Sequence, residues 1–255
     1  MRELGLVIGK KRVHSCVPES WLEVSERQFL AVVARAYDLM DDAAFYAQFF
    51  GFDVGLVSQL DLYSFYVLNG LLSFTKKDDG MQSFILPMLK LKDGEGRVFC
   101  VVEPHARLKG MSFQQFMMVD TFYTWYVQTK KRDYLLSMCA CCYLREGEDF
   151  FALEMDERLA CWRTCEDVLL YAVLVQWSFI KSWLSRSYPH LFVAGEPPHA
   201  GRSGGKVKVS NMWIEIFDTL VADDLNRIES YKRLECMDVL RIVNRKIHVQ
   251  KNSFR

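Results

Sequence analysis

The sequence predicts a mainly α protein, a multi-helix globular fold with two small β-hairpins, and three observations carry that expectation. A helix-opening Ser-x-x-Gln motif occurs twice, and apolar residues recur at helical spacing through most of the chain. Alternation bounded by turn residues is confined to the N-terminus and to residues 84–102. With 255 residues, 51% of them hydrophobic, the chain carries enough apolar material to bury a core. The expected organisation is one mostly helical domain over 1–255, or two lobes, 1–109 and 110–255.

Residues 4–8 and 12–16 flank Gly9 and read as two strands around a turn. Ser25-Glu26-Arg27-Gln28-Phe29 then opens a helix over about 26–40. Its Ser hydroxyl can accept from an orphan N–H while the Gln amide reaches back, a capping box. Phe29, Val32, Val33, Ala36 and either Leu39 or Met40 form the stripe of that helix, and Val24 is placed to staple onto Phe29. Shorter helices follow, one through Phe45, Phe49 and Phe50, another over 61–75 through Leu62, Phe65, Tyr66 and Leu72. Asp53 and Asp61 serve as their caps. Residues 84–91 and 97–102 around Asp93-Gly94 read as a hairpin, with Pro87 marking an edge or a bulge.

Ser112-Phe113-Gln114-Gln115-Phe116 opens the second boxed helix, 113–129. Further helices are expected over 133–144 and 165–187, the latter stopped by Pro189. Residues 194–210, rich in Gly and Pro, read as a flexible surface loop. Beyond it, Ser210 would cap a helix carrying Trp213, Ile216, Phe217 and Leu220, and a last helix carries Val239, Leu240, Val243 and Ile247.

Thirty-two basic residues balance 32 acidic ones, so no global field draws the chain to nucleic acid or to an anionic membrane. The longest apolar stretch, 168–180, falls short of the roughly 20 residues that span a bilayer and reads as a central buried helix. The eight cysteines follow no disulfide framework, and a reducing cytoplasm is the simpler expectation.

Chemistry is sparse. Cys161 and Cys165 have the C-x₃-C spacing of a zinc half-site, with Cys139, Cys141, Cys142 and His190 as the remaining donors. The first three lie in an apolar helix, where Cys serves as a small core residue, so no metal is expected. Gly201-Arg202-Ser203-Gly204-Gly205-Lys206 lacks the spacing and flanking strand of a phosphate loop. His14, His105, His190, His199 and His248 show no catalytic order. The pairs Asp41–Asp42, Asp78–Asp79 and Asp223–Asp224 read as caps and turn residues. No catalytic residue and no cofactor are expected, and a metal- or nucleotide-using enzyme is the competing class. A nucleic-acid module resting on Arg241, Arg245, Lys246 and Lys251 is the other.

Met117, Met118, Phe122, Trp125, Tyr126 and Trp213 supply more apolar surface than a monomer of this size readily covers. Met-rich helical faces suit grooves that receive another protein's helix. Trp21, Phe29, Trp125 and Trp213 are therefore candidates for core or partner anchors.

The segment Val17-Pro18-Glu19-Ser20-Trp21-Leu22-Glu23-Val24-Ser25-Glu26-Arg27-Gln28-Phe29 resembles the P-x-S-W-x-x-[LV]-[ST]-x-x-Q-[FY] opening of small proteins of tailed phages and prophages, especially of Bacteroides-type bacteria. Met111–Met117 and the stretches around Trp213 and 238–244 are similar to the same group. The resemblance implies a tail-assembly chaperone or scaffolding protein that binds other virion components without catalysis. It carries no functional residues to transfer.

Overall fold

The computed structural model describes residues 1–8, 11–77, 80–192, 212–222 and 224–253. The expected loop at 194–210 lies outside them, as do Ser210, the Gly201–Lys206 motif, Asp78, Asp79, His199 and Asp223. The protein is mainly α with two small antiparallel sheets. The chain forms two compact units, Met1–Met81 with Glu166–Ile180 and Gln82–Cys165 with Lys181–Arg255.

In the first unit β1 (Arg2–Ile8) pairs with β2 (Lys11–Val17), Arg2 opposite Val17. Helix α1 (Glu26–Ala36) starts with the expected reciprocal box: Ser25 Oγ accepts from the Gln28 N–H at 3.3 Å, and Gln28 Oε1 accepts from the Ser25 N–H at 3.1 Å. It ends at Ala36, short of the expected residue 40, because Asp38 turns left-handed at φ 57°. The Asp38 N–H then reaches Arg35 O and the Leu39 N–H reaches Ala34 O, the bond pair that closes a helix. Leu39 consequently leaves the stripe and is exposed.

Asp41 caps α2 (Asp42–Phe50), Asp53 caps α3 (Val54–Val57) and Asp61 caps α4 (Leu62–Leu71), each carboxylate accepting from a first-turn N–H. Gly51 at φ 72° terminates α2. The core gathers Trp21 with Phe179, Phe74 and Phe29, ring centroids 4.9, 5.5 and 6.1 Å away, and the indole N–H donates to Lys77 O at 2.9 Å. The stripe expected for the 61–75 helix is corrected. Leu72 is buried, but Leu62 and Tyr66 face solvent, and Leu68 is the residue of α4 that enters the core. Apolar residues surround α4 almost completely, so its periodicity could not say which side turns inward.

In the second unit β3 (Met88–Lys92), β4 (Val98–Val102) and the two-residue β5 (Leu144–Arg145) form one sheet in that order. The first strand begins after Pro87, later than the expected residue 84, and β5 was not foreseen. Buried Asp93 organises the hairpin turn: Oδ1 accepts from the Glu95 and Arg97 N–H groups and Oδ2 pairs with Arg97 Nε at 2.7 Å.

Helix α5 (Phe113–Thr129) has the expected bounds, but its box is only half made. Ser112 Oγ accepts from the Gln115 N–H at 3.1 Å, while the Gln115 amide donates instead to Cys141 O at 2.9 Å. That partner belongs to α6 (Arg132–Cys142); burial redirects the glutamine from its own helix end to a neighbour's carbonyl. The remaining helices are α7 (Met155–Trp162), α8 (Asp167–Ser187), α9 (Met212–Val221), α10 (Ile228–Lys232) and α11 (Cys236–Ser253); α3, α7 and α10 were not foreseen.

Among the described residues α8 alone has the length and apolar character to cross a membrane, since it runs past residue 180 for 21 residues in all. The 168–180 stretch lies inside this helix, which is the buried helix expected there. Leu170, Val173, Trp177, Ile180 and Leu184 along it are buried within the protein.

Candidate functional site

Helix α5 carries two apolar stripes. Phe113, Phe116, Val119 and Tyr126 are buried, whereas Met117, Met118, Phe122 and Trp125 lie at i, i+1, i+5 and i+8 on a second side and stay partly open. Trp213, Ile214 and Phe217 of α9 form the facing wall. Between the two helices lies a groove of about 300 Å³, within the second unit, with Lys232 of α10 at its rim.

A buried polar pin holds α9 against α5. Asp120 Oδ2 accepts from the Trp213 indole N–H at 2.7 Å, and Oδ1 pairs with Lys181 Nζ at 2.7 Å. A carboxylate this deeply desolvated persists only with such partners. The Lys181 ammonium also stands 5.1 Å from the Tyr123 ring centroid. The Trp213 ring meets Phe116 edge to face at 4.9 Å, which fixes the groove wall.

Three of the four anchor candidates are core residues: Trp21 and Phe29 in the first unit and Trp213, 4% exposed, in the second. Trp125 is half-buried in the groove, its ring 5.7 Å from Phe122 and 5.1 Å from Tyr134. The groove lining is chemically inert, with thioethers, rings, one amide, one hydroxyl and one ammonium, the last paired with Glu229 at 2.6 Å. Gln114 Oε1 in that lining is buried and finds no hydrogen-bond partner among the described residues, a cost that an occupant bringing a donor would relieve.

The cysteines do not form a reactive set. Cys139, Cys141 and Cys142 are buried in α6, Cys161 in α7 and Cys165 just after it. Burial pushes the Cys141 thiol up to about 12 and those of Cys139 and Cys142 well above their ordinary value, so all three stay protonated. Among the described residues no three His, Cys, Asp or Glu side chains gather as a metal set. Asp41 is spent on its cap, Asp42 pairs with Arg35 at 2.9 Å and Asp224 with Arg227 at 3.1 Å. On α11, Arg241 pairs with Asp238 at 2.9 Å, while Arg245, Lys246 and Lys251 are exposed.

Two arrangements had no signal in the sequence. His190 and His248 lie against each other, ring centroids 4.3 Å apart and planes tilted by 34°. Arg158 and Glu148 form a buried ion pair at 2.7 Å, the guanidinium also covering the Phe150 ring at 4.6 Å. Both join residues by tertiary placement rather than by spacing. Compared with protein-family models, with curated proteins and with solved structures, the chain matches none.

Proposed function

We propose that the protein is a non-enzymatic binding factor whose groove between α5 and α9 receives the apolar face of a partner helix. The observation that carries this reading is the groove itself: open, apolar, lined by two methionines and three large rings, and walled by a tryptophan that is pinned from behind. Unbranched thioethers adapt to an irregular apolar surface, which suits a groove that takes a helix. With the resemblance of the helix-opening segments, the partner is a component of a phage or prophage tail, and the role is that of an assembly chaperone or scaffold in the host cytoplasm.

Co-expression with the products of the neighbouring genes tests both parts. The expected result is a stable complex with a tail protein that Met118→Lys and Trp125→Ala each weaken, while the circular dichroism of the free protein is unchanged. A complex that both variants form at full affinity overturns the groove; neighbours that are all metabolic enzymes overturn the tail role.

A further inference from the structure

We propose that α4 is a self-association surface, through which two copies of this chain pair antiparallel about a two-fold axis that passes Tyr66. Leu62 is 88% exposed, Tyr63 74% and Tyr66 78%; Gly70 is exposed as well, and so is Asn69, whose Oδ1 accepts from the hydroxyl of buried Tyr46 at 2.7 Å. These positions stand at i, i+1, i+4, i+7 and i+8, so they share one face over about 12 Å of helix. An apolar face of this kind on a helix that also buries Leu68 is more than the fold of one copy uses.

Three features point to a second copy as the occupant. The first is charge: Leu62–Leu71 contains no ionisable acid or base other than its tyrosines. A two-fold interface sets each group near its own image, so a charge at the axis repels itself, whereas a tyrosine hydroxyl both donates and accepts and can meet its own kind. Charge-poor, tyrosine-rich composition is also what the core of an interface shows.

The second feature is shape. Leu62 and Tyr63 are bulky at one end of the stripe, Gly70 leaves a gap at the other, and Tyr66 lies midway between 62 and 70. Antiparallel pairing therefore seats the bulk of each helix in the gap of its twin. Among the described residues nothing accounts for Gly70: a Cβ added there would meet no atom within 4 Å, and its φ is not left-handed. Glycine inside a helix is less favourable than alanine, a cost that room for a partner explains.

The third feature is area. Large aromatic side chains bury about 150–250 Å² each, so two tyrosines and a leucine offer on the order of 500 Å² per copy. The two faces together reach at most about 1,000 Å², the size of weak, transient interfaces. A weak dimer in the micromolar range follows.

Sedimentation equilibrium of the full chain from about 1 to about 500 µM tests the proposal. Wild-type protein is expected to shift from monomer to dimer, Tyr66→Phe to keep the shift, and Tyr66→Asp and Gly70→Leu each to weaken it at least about tenfold. Both positions are open in the monomer, so unfolding curves at low concentration should stay close to wild type. A chain that remains monomeric throughout overturns the proposal, including the case in which it instead binds phosphatidylglycerol vesicles through Tyr66. A dimer that survives both disruptive substitutions overturns it too. So does a dimer abolished by Trp125→Ala, which would place the contact at the α5–α9 groove.

Discussion

Helices α4 and α5 are alike in sequence and unlike in use. Both are apolar on more than one side and both open on a side-chain cap, Asp61 for one and Ser112 for the other. In α5 the first stripe is buried and the second becomes one wall of a groove because α9 stands beside it. In α4 one residue, Leu68, is fully buried, and Leu62, Tyr63 and Tyr66 are left on a convex outer face. Surplus apolar surface thus acquires a shape from its neighbours: a concave wall suits a foreign helix, a convex stripe suits its own twin.

The largest expected effect separates the buried side of α5 from the exposed side of α4. Phe116→Ala removes a fully buried ring and is expected to cost about 3–5 kcal/mol, whereas Tyr66→Ala, measured where the protein is monomeric, should stay within about 0.5 kcal/mol. Urea unfolding midpoints compare the two, and equal losses would erase the distinction. Trp213→Ala tests the groove wall from behind: it deletes a buried ring and takes a donor from Asp120, so a loss of about 3–5 kcal/mol is expected. Trp125→Ala, on the open side of the same groove, should cost far less stability and instead weaken partner binding by about 2 kcal/mol, read by titration calorimetry.

The caps sharpen the comparison of helix openings. Ser25→Ala and Ser112→Ala should each cost about 1 kcal/mol. Gln115→Ala should exceed Gln28→Ala, because only Gln115 is buried and leaves Cys141 O without its side-chain donor.

A last expected effect is a pH dependence in the β3–β4 region. Burial raises the Glu103 carboxyl from 4.5 to about 7, although it accepts the Phe84 N–H at 2.9 Å. The folded state therefore holds this proton more tightly than the unfolded chain. The resulting stability is complete below about pH 4.5 and is lost as pH rises through about 7. Glu103→Gln should remove that slope, so the variant gains on wild type more at about pH 8 than at about pH 5 in thermal unfolding. An unchanged difference across that range would show that Glu103 titrates normally.

Local chemistry was legible in the chain itself. Ser25 with Gln28, Asp61, the Asp93-Gly94 turn and the bounds of α5 follow from groups that bond within a few residues of one another, and so does the mainly α class with its small hairpins. The methionines and rings of α5 announced an apolar surplus, yet nothing in them named α9 as the facing wall. Neither the half-made box at Ser112, nor the pin from Trp213 to Asp120 and Lys181, nor the contact of His190 with His248 could be read in advance. Each depends on which distant segment arrives beside it. The same holds for the outward turn of Leu62 and Tyr66: a helix apolar all round has no preferred inner face until its neighbours supply one. Short-range hydrogen bonding is written into adjacent residues, whereas desolvation is a property of the assembled surroundings, and that is why the caps belonged to the sequence and the surfaces to the tertiary fold.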